Sequence, residues 1–444
     1  MCSAKSTIRL ISSLSGMFLL VISSLPAFSQ ENSPFSRYGL GDIVPENHIA
    51  NRSMGGISAA YSDFQSINTS NPASFSNITS TLFDFGSEID VRALKSNTST
   101  DKYQSANTII SYLQLGLPLS TKKMLKKGNA CGLAFGLRPV TRINYKIENN
   151  SRLSGIDSLN TQYEGSGGLS QVFLGTGFKF KKLRVGFSAA YNFGTRDLST
   201  RLKFINDTVI YYKSSTEMQT VFNGLSFSGG LMYDIHIAKS NLRLGVYGNV
   251  FNALKASGTD LNQTFVFDGN GAVVPIDTVS INTDQKGTVD LPSTFAGGFT
   301  WSNKHWLMGA DMEFSNWSDY RFYGEKDATQ DIWKLRAGVQ YYPASENTPT
   351  SKYFQFVKYR LGFYYGPDYI NLGESRNEYS ITMGAGFPLT SFQLLRRGDF
   401  VMLHTGIELG SRGNKNSQSL RENILRFSFG ISMNARWFQK PKYD

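Results

Sequence analysis

From Thr81 almost to the C-terminus the chain alternates apolar and polar residues in segment after segment, and no helical period interrupts the run. In the first segment Phe83, Phe85, Ile89 and Val91 fall on one face and Asp84, Glu88, Asp90 and Arg92 on the other. A period of two places successive side chains on opposite faces of a strand. The clearest cases set Leu183, Val185, Phe187, Tyr191 and Phe193 against Arg184, Gly186, Ser188 and Asn192, and Val357, Tyr359, Leu361, Phe363 and Tyr365 against Lys358, Arg360, Gly362 and Tyr364. The pattern predicts strands near 80–94, 104–117, 130–148, 163–180, 183–203, 218–234, 241–251, 292–301, 305–317, 331–342, 354–366, 379–388, 400–410 and 421–434. Each has roughly the ten residues a tilted strand needs to cross a bilayer. With no helices to cover so many oily faces, the economical fold is all-β: a closed antiparallel transmembrane barrel of about fourteen strands, apolar toward lipid and polar toward a lumen.

The links support this reading. If the first strand rises from the periplasm, its even-numbered successors end in turns as short as Lys181-Lys182 and Ser302-Asn303-Lys304, while the longest link, 252–291, falls on the outer side. Short periplasmic turns and long external loops mark bacterial outer-membrane barrels, and no short fixed repeat suggests a β-helix. Residues 30–79 are rich in Gly, Ser and Asn with little alternation. Such a segment is no wall, but it fits inside the lumen as a hatch, where irregular backbone meets protein and water. Residues 1–29 read as a signal peptide: Lys5 and Arg9, an apolar stretch from Met17 to Leu25, then Ala27-Phe28-Ser29. The barrel is expected over 80–438, its last strand leading to Trp437-Phe438, with a periplasmic tail at 439–444.

No run of about 20 apolar residues is present, so a helical membrane bundle is excluded. Of two cysteines, Cys2 lies in the signal, which leaves Cys131 without a partner and stability to burial and sheet closure. The net charge of +11 is spread among turns such as Lys122-Lys123, Lys126-Lys127 and Lys181-Lys182, with no basic domain or stacking motif for nucleic acid. The expected localisation is the outer membrane of a Gram-negative cell, with lipid bilayer and the barrel-assembly machinery as partners.

The segment from Arg52 to Asp63, RSMGGISAAYSD, followed by Asn71-Pro72-Ala73 and the strand at Thr81, resembles the FadL-type (TodX-like) outer-membrane transporter family. That family carries a Gly- and Ala-rich hatch with an acidic residue and an Asn-Pro-Ala motif before its first strand. The opening SPFSRYGLGD, Ser33 to Asp42, resembles its Bacteroidetes variant. The resemblance implies a hatch-plugged barrel of fourteen strands that admits hydrophobic or amphipathic small molecules by passive diffusion. It also implies a lateral gap at an inward kink of the third strand, and here Pro139 stands mid-strand, where a missing ladder donor marks a bulge or an interruption. The same third strand is expected to turn Leu133, Phe135, Leu137, Ile143, Tyr145 and Ile147 to lipid.

Candidate binding residues are Arg138, Arg142 and Lys146, expected on one inward face around Pro139, and in the hatch Arg52, Asp63, Asn71, Pro72 and Ala73. The cations are able to hold an amphiphile's carboxylate. The plainer role is charge pairing with Asp84, Glu88, Asp90, Asp311 and Glu313, with Arg52 and Asp63 seating the hatch. Asn71-Pro72-Ala73 sets a turn with close approach to the wall. No catalytic residue, metal site or cofactor is expected. His404, with Glu408 on the same face, would act in a hydrolase only with a Ser or Asp in reach. Two functional readings follow. One is a channel for hydrophobic small molecules. The alternative is a non-transporting barrel, accessory to surface-protein secretion or assembly, favoured by a lumen wholly filled by the hatch with an exposed apolar or aromatic rim, whereas a continuous apolar path from loops to wall would favour transport.

Overall fold

The computed structural model describes residues 33–95, 102–152, 158–205, 212–251, 253–269, 272–345, 352–374, 376–413 and 420–435. The signal-peptide expectation, Trp437-Phe438 and the tail lie outside them. Fourteen antiparallel wall strands close on themselves. They are β1 (Thr81–Lys95), β2 (Lys102–Pro118), β3a (Asn129–Pro139) continued by β3b (Thr141–Arg152), β4 (Ser158–Phe180), β5 (Leu183–Phe204) and β6 (Lys213–Ile237). Next come β7a (Ser240–Phe251) continued by β7b (Leu254–Phe267), β8a (Val273–Asp290) continued by β8b (Thr294–Ser302), β9 (Trp306–Ser315) and β10 (Ile332–Tyr341). Strands β11 (Lys358–Pro367), β12 (Asn377–Pro388), β13 (Val401–Arg412) and β14 (Arg421–Ala435) complete the wall. β14 pairs with β1 in unbroken register from Thr81 opposite Ala435 to Lys95 opposite Arg421. That seam leaves no sheet edge at the ends of the chain's wall, as a hydrocarbon solvent demands.

Along β5, Leu183, Val185, Phe187, Tyr191 and Phe193 lie on the outside while Arg184, Ser188, Ala190 and Asn192 are buried. On β1 the inward row Asp84, Glu88, Asp90 and Arg92 is buried. The barrel thus turns its charges inward and its oil outward, the reverse of a water-soluble sheet protein.

Three features depart from the sequence reading. The stretch 252–291 is no loop: β7b and β8a pair from Leu254–Val289 to Phe267–Val273, and β7b also pairs with the outer part of β6. Its Val and Thr favour strand, and from Val274 to Asp284 both faces of β8a are exposed, so no oily face was needed to specify that part. At the rim where β1 begins, here the inner rim, the turns at 181–182 and 303–305 are short. The links 119–128 and 389–400 instead carry α2 (Lys122–Lys126) and α3 (Phe392–Arg396), and Tyr353–Phe356, expected in a strand, form a 3-10 turn. Finally, the third strand does not keep one face to lipid. Phe135 and Leu137 point outward, but beyond Pro139 the facing inverts and Ile143 and Tyr145 are buried. The interruption at Val140 shifts the parity by one residue.

The N-terminal residues 33–80 run inside the cylinder. Near the outer rim Phe35 and Leu40 pack with Trp317, Tyr320, Tyr369 and Ile370 from the outer links, and near the inner rim Ile67, Phe75 and Ile78 pack with Leu82, Phe173 and Phe400. Between them lies α1 (Ile49–Arg52). Inward positions of successive strands are glycine where this segment's backbone touches the wall. A Cβ at Gly186 would overlap Pro72, at Gly230 Asn71, at Gly245 Ala59, and at Gly362 Met54 and Gly55. Gly→Leu at Gly362 is therefore expected to destabilise the barrel by about 1–3 kcal/mol through overpacking and to expose 33–80 to protease. Gly229→Ala, whose Cβ would meet only the Gly186 carbonyl at 4.0 Å, should be near neutral. Urea unfolding and limited proteolysis of the two variants measure the difference.

Candidate functional site

The N-terminal segment is held by polar contacts that the sequence placed on opposite sides of one interface. His48 caps α1, its Nδ1 accepting from the Ala50 amide at 2.9 Å, while its Nε2 meets Asp84 of β1 at 2.9 Å. With Nδ1 an acceptor, Nε2 carries the proton and donates. Arg52 donates to the Asn47 carbonyl at 2.8 Å and pairs with Glu88. Asp42 takes Arg92 at 2.5 Å and Arg412 at 3.0 Å. Asp63 is bound by Lys358 at 2.6 Å, and Asp311 of β9 accepts the amides of Ser58 and Ala59. The network continues through the wall, with Arg426 joining Glu408 at 2.9 Å and Asp90 at 3.3 Å, and Arg336 clamping both oxygens of Glu313 at 2.6 and 2.8 Å.

Asn71 works as a wedge. Its Oδ1 accepts from the Ala73 amide at 3.1 Å and opens a 3-10 turn at Pro72, and its amide donates to the carbonyls of Ala59 at 2.6 Å and Val246 at 3.2 Å. Ala73 is fully buried. Pro fixes the turn and Ala leaves room for the wall.

The third strand parts the wall. β2 pairs with β3a only from Leu113–Leu137 to Pro118–Gly132, and a bulge sits at Ser111, just where that pairing stops. Among the described residues no strand pairs with β2 on this side from Lys102 to Tyr112. β3b bends inward and its edge is taken by the N-terminal segment instead: Asp42 opposite Arg142, Ile43 opposite Thr141, and the Val44 amide donating to the Val140 carbonyl at 2.9 Å. Behind the interruption lies a cavity of about 190 Å³, bordered by Val44, Pro45, Val140 and Leu169 on one side and by Arg336, Arg412 and Arg426 on the other. A separate polar cleft of about 520 Å³ opens between β3b, β4, β5 and β6.

The candidate cations around Pro139 do not form one site. Arg138 pairs with Glu46 at 2.7 Å and Gln171 at 3.0 Å and faces the inner cavity, whereas Lys146 meets Glu164 at 3.5 Å in the outer cleft. Arg142 borders neither cavity; its backbone pairs with Asp42. The parity shift at Val140 separates them. His404 neighbours Arg360 at 3.2 Å and the His48 ring at 5.0 Å; among the described residues no hydroxyl or carboxylate lies within its reach. Among the described residues no cluster of His, Cys, Asp or Glu is arranged to hold a metal ion. Sequence reading missed Asp42, His48 and the inward glycines. Gly recurring on the inner face of strand after strand was the available signal.

A closed barrel of fourteen strands with its own N-terminal segment packed inside is an architecture whose barrel fold solved structures share. CymD, described as a monoaromatic hydrocarbon channel, matches with a TM-score of 0.53 at 13% identity over 90% of this chain and 100% of its own. The Pseudomonas putida toluene transporter TodX gives 0.54 at 14% over 88% and 99%, and a Pseudomonas aeruginosa FadL homologue 0.56 at 11% over 89% and 99%. Among curated proteins none matches. The family model BamG matches residues 10–444, and the chain belongs to the BamG family.

Burial raises the proton affinity of Asp63, but the Lys358 ammonium outweighs it and holds the carboxyl below its ordinary value. A depressed carboxyl stabilises the fold above its unfolded value and loses that contribution as pH falls through the folded one. Acidification toward pH 3 is thus expected to weaken seating of 33–80. Asp63→Asn should lower stability at pH 7 and remove that part of the pH dependence, as measured by urea unfolding across pH. Arg52→Ala, which leaves Glu88 only the longer contact to Arg426 at 3.8 Å, should cost about 2–3 kcal/mol, below the full cost of a stranded charge.

Proposed function

We infer that this chain is an outer-membrane barrel that serves the barrel-assembly machinery as an embedded partner, its lumen sealed against aqueous passage. The observation that carries this reading is the filled lumen: residues 33–80 meet the wall at inward glycines and through buried ion pairs, with apolar packing at both rims. Membership of the BamG family supports the partner. A sealed cylinder leaves its membrane-facing wall and rims as the working surfaces. A second reading is favoured by the interruption at Val140 with the cavity behind it, and by the likeness to hydrocarbon channels. In it, a hydrophobic small molecule enters from the bilayer between β2 and β3b.

In planar bilayers the full chain is expected to be electrically silent, and steady single-channel conductance would refute a sealed lumen. Tagged protein extracted in mild detergent should retain the central assembly barrel in near-stoichiometric amount, and its depletion should lower the levels of other outer-membrane barrels. Hydrocarbon uptake by proteoliposomes tests the second reading. Uptake that falls in Pro139→Val would support it, and uptake indistinguishable from empty vesicles would remove it.

A further inference from the structure

The inner rim carries its positive charge unevenly. Lys122, Lys123, Lys126 and Lys127 crowd the α2 link, and Lys181 and Lys182 form the whole of the β4–β5 turn. The two links are neighbours, since the Lys181 amide donates to Asn129 Oδ1 at 3.3 Å, and β3a lies directly beside β4. All six side chains are exposed, and no acidic residue occurs in either link. None of the six takes part in any ion pair among the described residues. Elsewhere on this rim the turns at 238–239 and 303–305 each hold a single lysine, Lys239 and Lys304, and the sequence of the α3 link holds Arg396 and Arg397 with the acidic Asp399.

Six amines concentrated on two adjoining links repel one another unless an anion sits among them. The wall immediately above is apolar and faces outward: Phe178 and Phe180 stack at 6.4 Å, with Leu183 beside them on β5. On the link itself Leu125 is 53% exposed between lysines. An occupant that satisfies both features has an anionic head at the rim and an apolar body against the wall. An acidic protein surface would meet the amines but not the aromatic wall, which lipid already covers. Interfacial cations and apolar anchors at one level are how proteins hold anionic headgroups.

We propose that the lysine patch on the β2–β3a and β4–β5 links binds the phosphate headgroups of anionic phospholipid in the leaflet at the inner rim. Several amines in one patch suit a lipid with two phosphates better than one with a single phosphate.

The test uses the full chain, purified in a non-ionic detergent and exposed to diphosphatidylglycerol, phosphatidylglycerol or phosphatidylcholine, with retained lipid counted by native mass spectrometry. Wild type should retain the two anionic lipids in preference to phosphatidylcholine, diphosphatidylglycerol most of all. In the variant Lys122→Gln/Lys123→Gln/Lys126→Gln/Lys127→Gln that preference should fall about tenfold, whereas Lys239→Gln/Lys304→Gln keeps it. Heat-modifiable migration on gels confirms that each variant forms a barrel. Equal retention of all three lipids by wild type, or an unchanged preference in the fourfold variant, overturns the proposal. Displacement of the lipid by millimolar inorganic phosphate would assign a free-phosphate site instead. Loss of an acidic protein partner with lipid preference intact would assign a protein surface.

Discussion

The structure depends on one constraint: inside a bilayer each backbone amide and carbonyl must find its partner within the protein. Fourteen strands meet it by closing β14 onto β1, and the even run of that register from one rim to the other shows how little freedom the constraint leaves. Among the described residues the rule is relaxed at the third strand. There β3b leaves β2, and the edge it exposes inward is paired by the Asp42–Ile43 segment. The N-terminal segment is therefore both filling and wall, completing a ladder that the barrel strands leave unfinished.

Closure creates a second demand, because a cylinder this wide has an interior that side chains of the wall do not fill. The chain fills it with itself and lines it with charge. Such a lumen is tolerable only if nearly every charge has a counter-charge, since an unpaired buried ion is far costlier than the pair is favourable. Asp42 between Arg92 and Arg412, and Arg426 between Glu408 and Asp90, satisfy that condition. The pairing also fixes register, for Arg52 and Asp63 each have one place along the lumen where their partners lie.

The wall was legible from the sequence because lipid on one face and a polar lumen on the other impose a strict period of two. Phe187 against Ser188, or Leu361 against Arg360, announces both strand and facing. What escaped had no such signal. In the β7b–β8a hairpin, β8a is exposed on both faces from Val274 to Asp284, so its alternation carried no information. The inversion after Pro139 depends on one residue, Val140, stepping out of register, which no local pattern records. The lumen contacts escaped for a different reason: His48 and Asp84, or Asp63 and Lys358, are brought together by closure across 36 and 295 positions. Inward glycines were visible, but their meaning rests on the segment pressed against them.

Sharing a fold with hydrocarbon channels leaves open whether this barrel conducts, and the energetics of its filling bear on the question. Drawing residues 33–80 out of the lumen breaks the pairs of Arg52 with Glu88, Asp63 with Lys358, and Asp42 with Arg92 and Arg412. Breaking a buried pair costs about 3–5 kcal/mol when a charge is left stranded, as Lys358 would be, and less for Glu88, Arg92 and Arg412, which keep Arg426, Asp90 and Glu422 within the wall. Water entering the emptied lumen would recover part of that, yet even a net cost of about 6 kcal/mol for the group holds the unplugged state to roughly one molecule in ten thousand or fewer. Spontaneous unplugging is thus too rare to sustain a conductance. Whatever passes or binds must use the parting of β2 from β3b, the outer cleft or the rims, which are accessible while the filling stays in place.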